Sequence, residues 1–146
     1  MVDWDKRFIE LSEFVSSWSK DKSIGICAII ATKEHRVVSM GYNGFPSGAD
    51  DSIEERYERP TKYLYTEHAE RNAIYSAARQ GISLNGCTIY HKWFPCADCA
   101  RAIIQSGIDT VVCEEPDLTT PKWGEHFKAA LEMFKECGIT IRYYNK

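Results

Sequence analysis

No stretch of this 146-residue chain approaches the roughly 18 consecutive apolar residues that a membrane-spanning helix requires. An excess of positive charge is missing too: 18 Lys and Arg stand against 21 Asp and Glu, a formal net charge of −3. That balance leaves no footprint for a nucleic acid, although a local basic cluster can still receive one phosphate. The opening residues, MVDWDKRF, lack the positive-then-apolar order of a secretory signal. Proline is sparse, and no low-complexity linker or internal repeat divides the chain. These absences predict a soluble, cytoplasmic single domain over residues 1–146, with neither a nucleic acid nor a membrane as partner.

Cysteine, by contrast, is plentiful at six residues. A chain of this length buries roughly 68–70% of its unfolded surface and needs no disulfide staples. In a reducing compartment its cysteines are core residues, metal ligands or reactive thiols. Cys27, Cys87 and Cys113 lie in β-like runs, and Cys137 just before a glycine at a helix end, so these four are expected as small core residues. Cys96 and Cys99 remain.

Periodicity orders the chain. Trp4, Phe8, Leu11, Val15 and Trp18 recur at helical spacing, with Asp3 as N-cap. Residues 24–31 and 36–40 read as strands joined by the polar turn TKEH. Residues 41–67 form a long segment, glycine-rich at first and then charged, expected as a functional lid or interface with a short helix of its own. Helices follow at 68–81, 97–107 and 122–138, each closed by a glycine, and strands at 87–93, 110–113 and 140–144. Such alternation predicts one sheet covered on both faces, an α/β fold.

Chemistry concentrates in two short stretches, TEHAERNAI (66–74) and FPCADCA (94–100). Catalytic zinc takes three protein ligands and keeps a fourth position for water. Cys96 and Cys99, two residues apart at a helix start, can reach one ion, and the helix amides favour their thiolates. His68 completes the set if the two helix starts face each other. Glu70, two residues on, is then free of the metal and able to take a proton from water. Taken singly, CADC is also half of a structural zinc site, and Glu70 an ordinary first-turn acid. His35, His91 and His126 are expected as surface or packing residues.

Jointly, H-x-E ahead of P-C-x-x-C is the signature of zinc nucleobase deaminases. With GYNGFPSGADD (41–51), HAERNAI (68–74) and FPCADCARAIIQSGI (94–108), the chain resembles the deoxycytidylate deaminase family over nearly its whole length. The resemblance implies the cytidine-deaminase-like fold, three α-β-α layers around a central five-stranded mixed sheet. It implies hydrolysis of dCMP to dUMP and ammonia, with one Zn2+ per chain on His68, Cys96 and Cys99 and Glu70 as the catalytic proton shuttle. By position, Asn43 and the backbone at Ala69 would contact the substrate. Trp93 or Phe94 would wall the base, and Lys20, with Lys22 beside it, would meet the phosphate. Regulation by dCTP and dTTP, with Mg2+ accompanying the nucleotide effector, and assembly as a homo-oligomer from dimer to hexamer are further family properties.

Three departures are visible. The first strand opens SIGICAI where relatives carry V-G-A, and EEPDL (114–118) puts acids where relatives place an aromatic and a basic residue. Residues 44–67 contain no Cys or His, so a second, structural zinc is not expected. Alternative readings are dCTP or a C5-modified dCMP, such as the 5-methyl or 5-hydroxymethyl form, as substrate, a deaminase of another base, or a non-catalytic zinc-stabilised binding domain.

Overall fold

The computed structural model of the protein describes residues 1–144, so the last two residues of the expected 1–146 domain lie outside the described residues. Asp3 caps the first helix, α1 (Trp4–Ser16), its carboxylate accepting from the Lys6 amide at 3.0 Å. Trp18, expected on that helix, lies beyond its end. Strands β1 (Cys27–Ala31) and β2 (Val37–Tyr42) form an antiparallel pair. The long segment that follows carries a 3-10 turn (Glu54–Tyr57) and a one-turn helix, α2 (Lys62–Tyr65). The rest alternates: α3 (Ala69–Gln80), β3 (Thr88–His91), α4 (Ala97–Gln105), β4 (Thr110–Cys113), α5 (Gly124–Glu136) and β5 (Thr140–Tyr143).

The sheet has the order β2-β1-β3-β4-β5, with β1 antiparallel to both neighbours and β3, β4 and β5 parallel. This is the expected five-stranded mixed sheet. A crossover helix is what joins parallel strands, and α4 and α5 serve that purpose.

Strand pleat divides the core. Cys27, Ile29, Ala31, Tyr90 and Val112 meet Phe8, Ile9 and Val15 of α1 on one face. Ala28, Ile30, Ile89, Val111 and Cys113 meet α3, α4 and α5 on the other. β1, β3 and β4 are buried throughout, because helices cover both faces there. Cys27, Cys87 and Cys113 are core residues as expected, but Cys137 is exposed. It is the C-cap of α5, one residue past the helix, and so off its apolar stripe.

Candidate metal centre

Two helix starts meet over the sheet. His68 is the N-cap of α3 and Cys96 the N-cap of α4, both with extended backbone, so each side chain stands at a helix mouth. The His68 Nδ1 lies 3.5 Å from Cys96 Sγ and 3.4 Å from Cys99 Sγ. All three donor atoms fall within 4.8 Å of one another. Zinc bonds of about 2.3 Å to sulfur and about 2.0–2.1 Å to nitrogen, at tetrahedral angles, separate such donors by about 3.5 Å. The donor set therefore fits a zinc ion in both chemistry and spacing.

The thiols are unequal. Cys96 is held down at about 4, because the Cys99 thiol and the His68 ring both hydrogen-bond to its sulfur. Cys99 is pushed up, by that same bond and by burial. Thiol protons must leave when a metal is taken up by both sulfurs. Arg71 of α3 ties the two mouths together: its Nε donates to Glu67 at 2.6 Å and its Nη1 lies 3.7 Å from Asp98 of α4. At the N-cap of α5, the Trp123 ring stands edge-on to His68 at 6.3 Å, and within the helix His126 Nδ1 accepts the Ala97 amide at 3.2 Å. His126 is therefore a packing residue that clamps α5 to the start of α4.

Glu70 is buried within the first turn of α3. Burial alone would raise its pKa, but the charges of His91 and His68 outweigh it and hold the carboxyl at about 2. The group is a carboxylate at neutral pH. Sequence reasoning missed its neighbour: His91, expected as surface or packing, is 3% exposed and sets Nε2 3.0 Å from Glu70 Oε1. The signal was the strand alternation, which puts residue 91 on the face of Ile89 and hence under α3.

The remaining expected contacts fare differently. Ala69 is buried in the first turn of α3, beside Glu70. The Asn43 side chain braces the entry to β1, accepting from the Ile26 amide at 2.8 Å and donating to the Ile24 carbonyl at 2.9 Å. Trp93, two residues past β3, is 40% exposed. Phe94 is not available as a wall for a ligand: its ring packs edge-on against Phe127 and Phe134 in the core, because the pleat turns it under α5. Lys20 donates to Asp51 at 2.5 Å and Lys22 to Glu54, so each expected phosphate contact already faces an acid. Two other cations end on a phenol: Lys122 Nζ and Arg59 Nε both donate to the Tyr63 hydroxyl, at 2.5 and 2.7 Å. Lys122 also lies over the Trp123 ring, 4.9 Å from its centre.

Comparison with known proteins follows the same lines. Residues 2–115 match the family described as cytidine and deoxycytidylate deaminase zinc-binding region. An uncharacterized deaminase from the luxG 3' region of Aliivibrio fischeri is 45% identical over 96% of this chain and 92% of that protein. Deoxycytidylate deaminase of Mus musculus is 33% identical over 98% of this chain and 80% of its own length. Among solved structures, the dCMP deaminase of cyanophage S-TIM5 in complex with dCMP and dUMP superposes with a TM-score of 0.75 at 22% identity, covering 95% of each chain. That likeness is one of fold.

Proposed function

The chain belongs to the cytidine and deoxycytidylate deaminase family, and from that premise we propose that it hydrolyses dCMP to dUMP and ammonia. One observation carries the reading: an imidazole and two sulfurs converge at zinc spacing, with a buried carboxylate two residues past the imidazole. His68, Cys96 and Cys99 would hold a zinc ion, which when bound would supply the Lewis acidity that lowers a water's pKa from about 15.7 to near 7. A purely structural ion has no use for a carboxylate beside an open coordination position.

Glu70 is the proton carrier in this reading. As a carboxylate it takes a proton from the attacking water and passes it to N3 of the cytosine ring. It takes the second proton from the new hydroxyl and gives it to the exocyclic amine. The C4–N bond then breaks, ammonia leaves, C4 keeps the water oxygen as a carbonyl, and Glu70 is a carboxylate again. The first-turn amides of α3 at Ala69 lack helical acceptors and suit the pyrimidine edge. Trp93 offers the exposed aromatic face for the base. Asn43, which shapes the mouth by fixing the entry to β1, keeps one amide hydrogen for the sugar. For the phosphate, Lys122 and Arg59 are better candidates than Lys20, because they end on Tyr63 and not on a carboxylate.

Assembly as a homo-oligomer belongs to the same reading, and the exposed Val37, Met40 and Tyr42 along the edge strand β2 support it. So do nucleotide effectors such as dCTP and dTTP with Mg2+, which rest on the family alone. The deciding experiment offers the zinc-loaded protein deoxycytidine, dCMP, dCTP and the 5-methyl and 5-hydroxymethyl forms of dCMP, following loss of cytosine absorbance. Highest kcat/KM with dCMP is expected. A higher value for dCTP or a C5-modified nucleotide would reassign the substrate, and no turnover of any would remove the reading.

A further inference from the structure

Among the core positions on the α3 face of β3 and β4, residue 89 is Ile and residue 111 is Val, but residue 91 is His. An imidazole buried to this degree needs partners for both nitrogens. Its Nδ1 is in hydrogen-bond contact with the Trp93 carbonyl. A carbonyl only accepts, so Nδ1 carries a proton. The other nitrogen, Nε2, faces Glu70 Oε1 at 3.0 Å, with both side chains 5% exposed or less. Were Nε2 a bare lone pair, two acceptors would confront each other in a dry site, so a proton lies in that contact. The N–H direction falls off the line to Oε1, leaving Nε2 without a well-aligned hydrogen bond. Cys113, which faces the pair from β4, is pushed up to about 12 by burial and adds no charge there.

We propose that His91 is a positioning residue for Glu70: anchored on the Trp93 carbonyl, it holds one carboxylate oxygen and leaves the other for proton traffic. This rests on the deaminase reading of the site. The two residues after β3 thereby gain a purpose, since the Trp93 carbonyl sets the ring's tautomer and orientation as an outer partner does for a ligating histidine.

The test uses the zinc-loaded full chain. His91→Asn keeps an amide near Nδ1 and nothing near Nε2; His91→Gln carries its amide nitrogen out to the Nε2 position. Expected is a drop in kcat of roughly 10- to 100-fold for His91→Asn, with KM within about two-fold and zinc content unchanged, and recovery of most of that loss in His91→Gln. Independently of turnover, 15N NMR of histidine-labelled protein should show both His91 nitrogens protonated at neutral pH. Glu70→Gln should shift the Nε2 resonance far more than Nδ1. Wild-type kcat in His91→Asn, equal losses in the Asn and Gln variants, or an Nε2 signal indifferent to Glu70→Gln would each overturn the proposal. If no cytosine nucleotide is turned over, the deaminase reading falls, and the NMR measurement alone decides whether His91 holds Glu70.

Discussion

Gly41 of β2 lies directly against the backbone of Ala73 in α3: a methyl group on Gly41 would sit 2.3 Å from the Ala73 amide nitrogen and 2.9 Å from the Ala69 carbonyl oxygen. The neighbouring Ser39 hydroxyl donates to the Ala73 carbonyl at 2.7 Å. Helix and strand are thus in backbone contact one turn beyond His68 and Glu70. The sheet edge sets the height of the residues that carry the chemistry.

Gly41→Ala should therefore act on the site through the helix. The clash is with backbone, which cannot swing aside, so a loss of about 1–3 kcal/mol or more is expected in urea unfolding. Zinc content should fall with it as α3 is pushed outward. Gly44→Ala is the control, since a methyl there meets nothing within 4 Å. It should stay within about 0.5 kcal/mol of wild type.

Glu70→Gln preserves shape and removes the carboxylate. Fold and stoichiometric zinc should persist, while kcat falls by roughly 10²–10⁴-fold or more. Wild-type rates in a zinc-loaded Glu70→Gln protein would sink the proton-carrier role.

The metal centre also holds two elements together. Cys96 and Cys99 belong to the start of α4 and His68 to the start of α3. Cys96→Ala should abolish stoichiometric zinc by elemental analysis. Chelation of the wild-type protein should lower its melting temperature toward that of the variant, because an ion bound only by the folded state stabilises it. Zinc affinity should also weaken as pH falls, since the proton on Cys99 must be displaced.

Most of this framework was legible. Short apolar runs bounded by polar turns located the strands, glycines marked the helix ends, and Asp3 announced α1 because capping is a local interaction. His68, Cys96 and Cys99 were legible through spacing. Contacts between distant side chains were not. That Phe94 turns into the core depends on where α5 crosses, and Lys20 meets Asp51 across 31 residues of chain. Within GYNG, the sequence did not show that Gly41 lets α3 approach or that the Asn43 side chain also braces the chain ahead of β1. His91 was passed over because an isolated histidine in a strand carries no pattern. Only its juxtaposition with Glu70 gives it meaning.

Phosphate recognition separates nucleotide from nucleoside, and Lys122→Ala tests where it occurs. A charge-assisted contact is worth about 1.5–3 kcal/mol. KM for dCMP should rise roughly ten-fold or more, with deoxycytidine unaffected. A change of the same size for both would show that Lys122 supports the site through Trp123 and makes no contact with phosphate.

The segment between β2 and α3 offers the last test. Asp21, ahead of β1, and Lys62, in α2, form an ion pair at 3.0 Å with side chains only 6% and 9% exposed. The Lys62 ammonium also reaches the Ser23 hydroxyl at 3.4 Å, and Asp21 accepts the Ser23 and Ile24 amides at 2.8 and 3.2 Å. Burial raises the Asp21 pKa, but the bonds from Lys62 and the two amides outweigh it and leave the carboxyl below its ordinary value. A depressed carboxylate contributes stability above its unfolded pKa, about 3.9, and loses it as pH falls through the lower folded value. Asp21→Asn should thus be less stable than wild type at pH 7, and the gap in melting temperature should narrow as pH falls below about 4. Lys62→Met alone should be worse than the Asp21→Asn, Lys62→Met double variant, because it strands a buried charge. A gap that stays constant as the carboxyl titrates would mean that the amide bonds, which persist with a neutral Asn oxygen, and not the charge, fasten this segment.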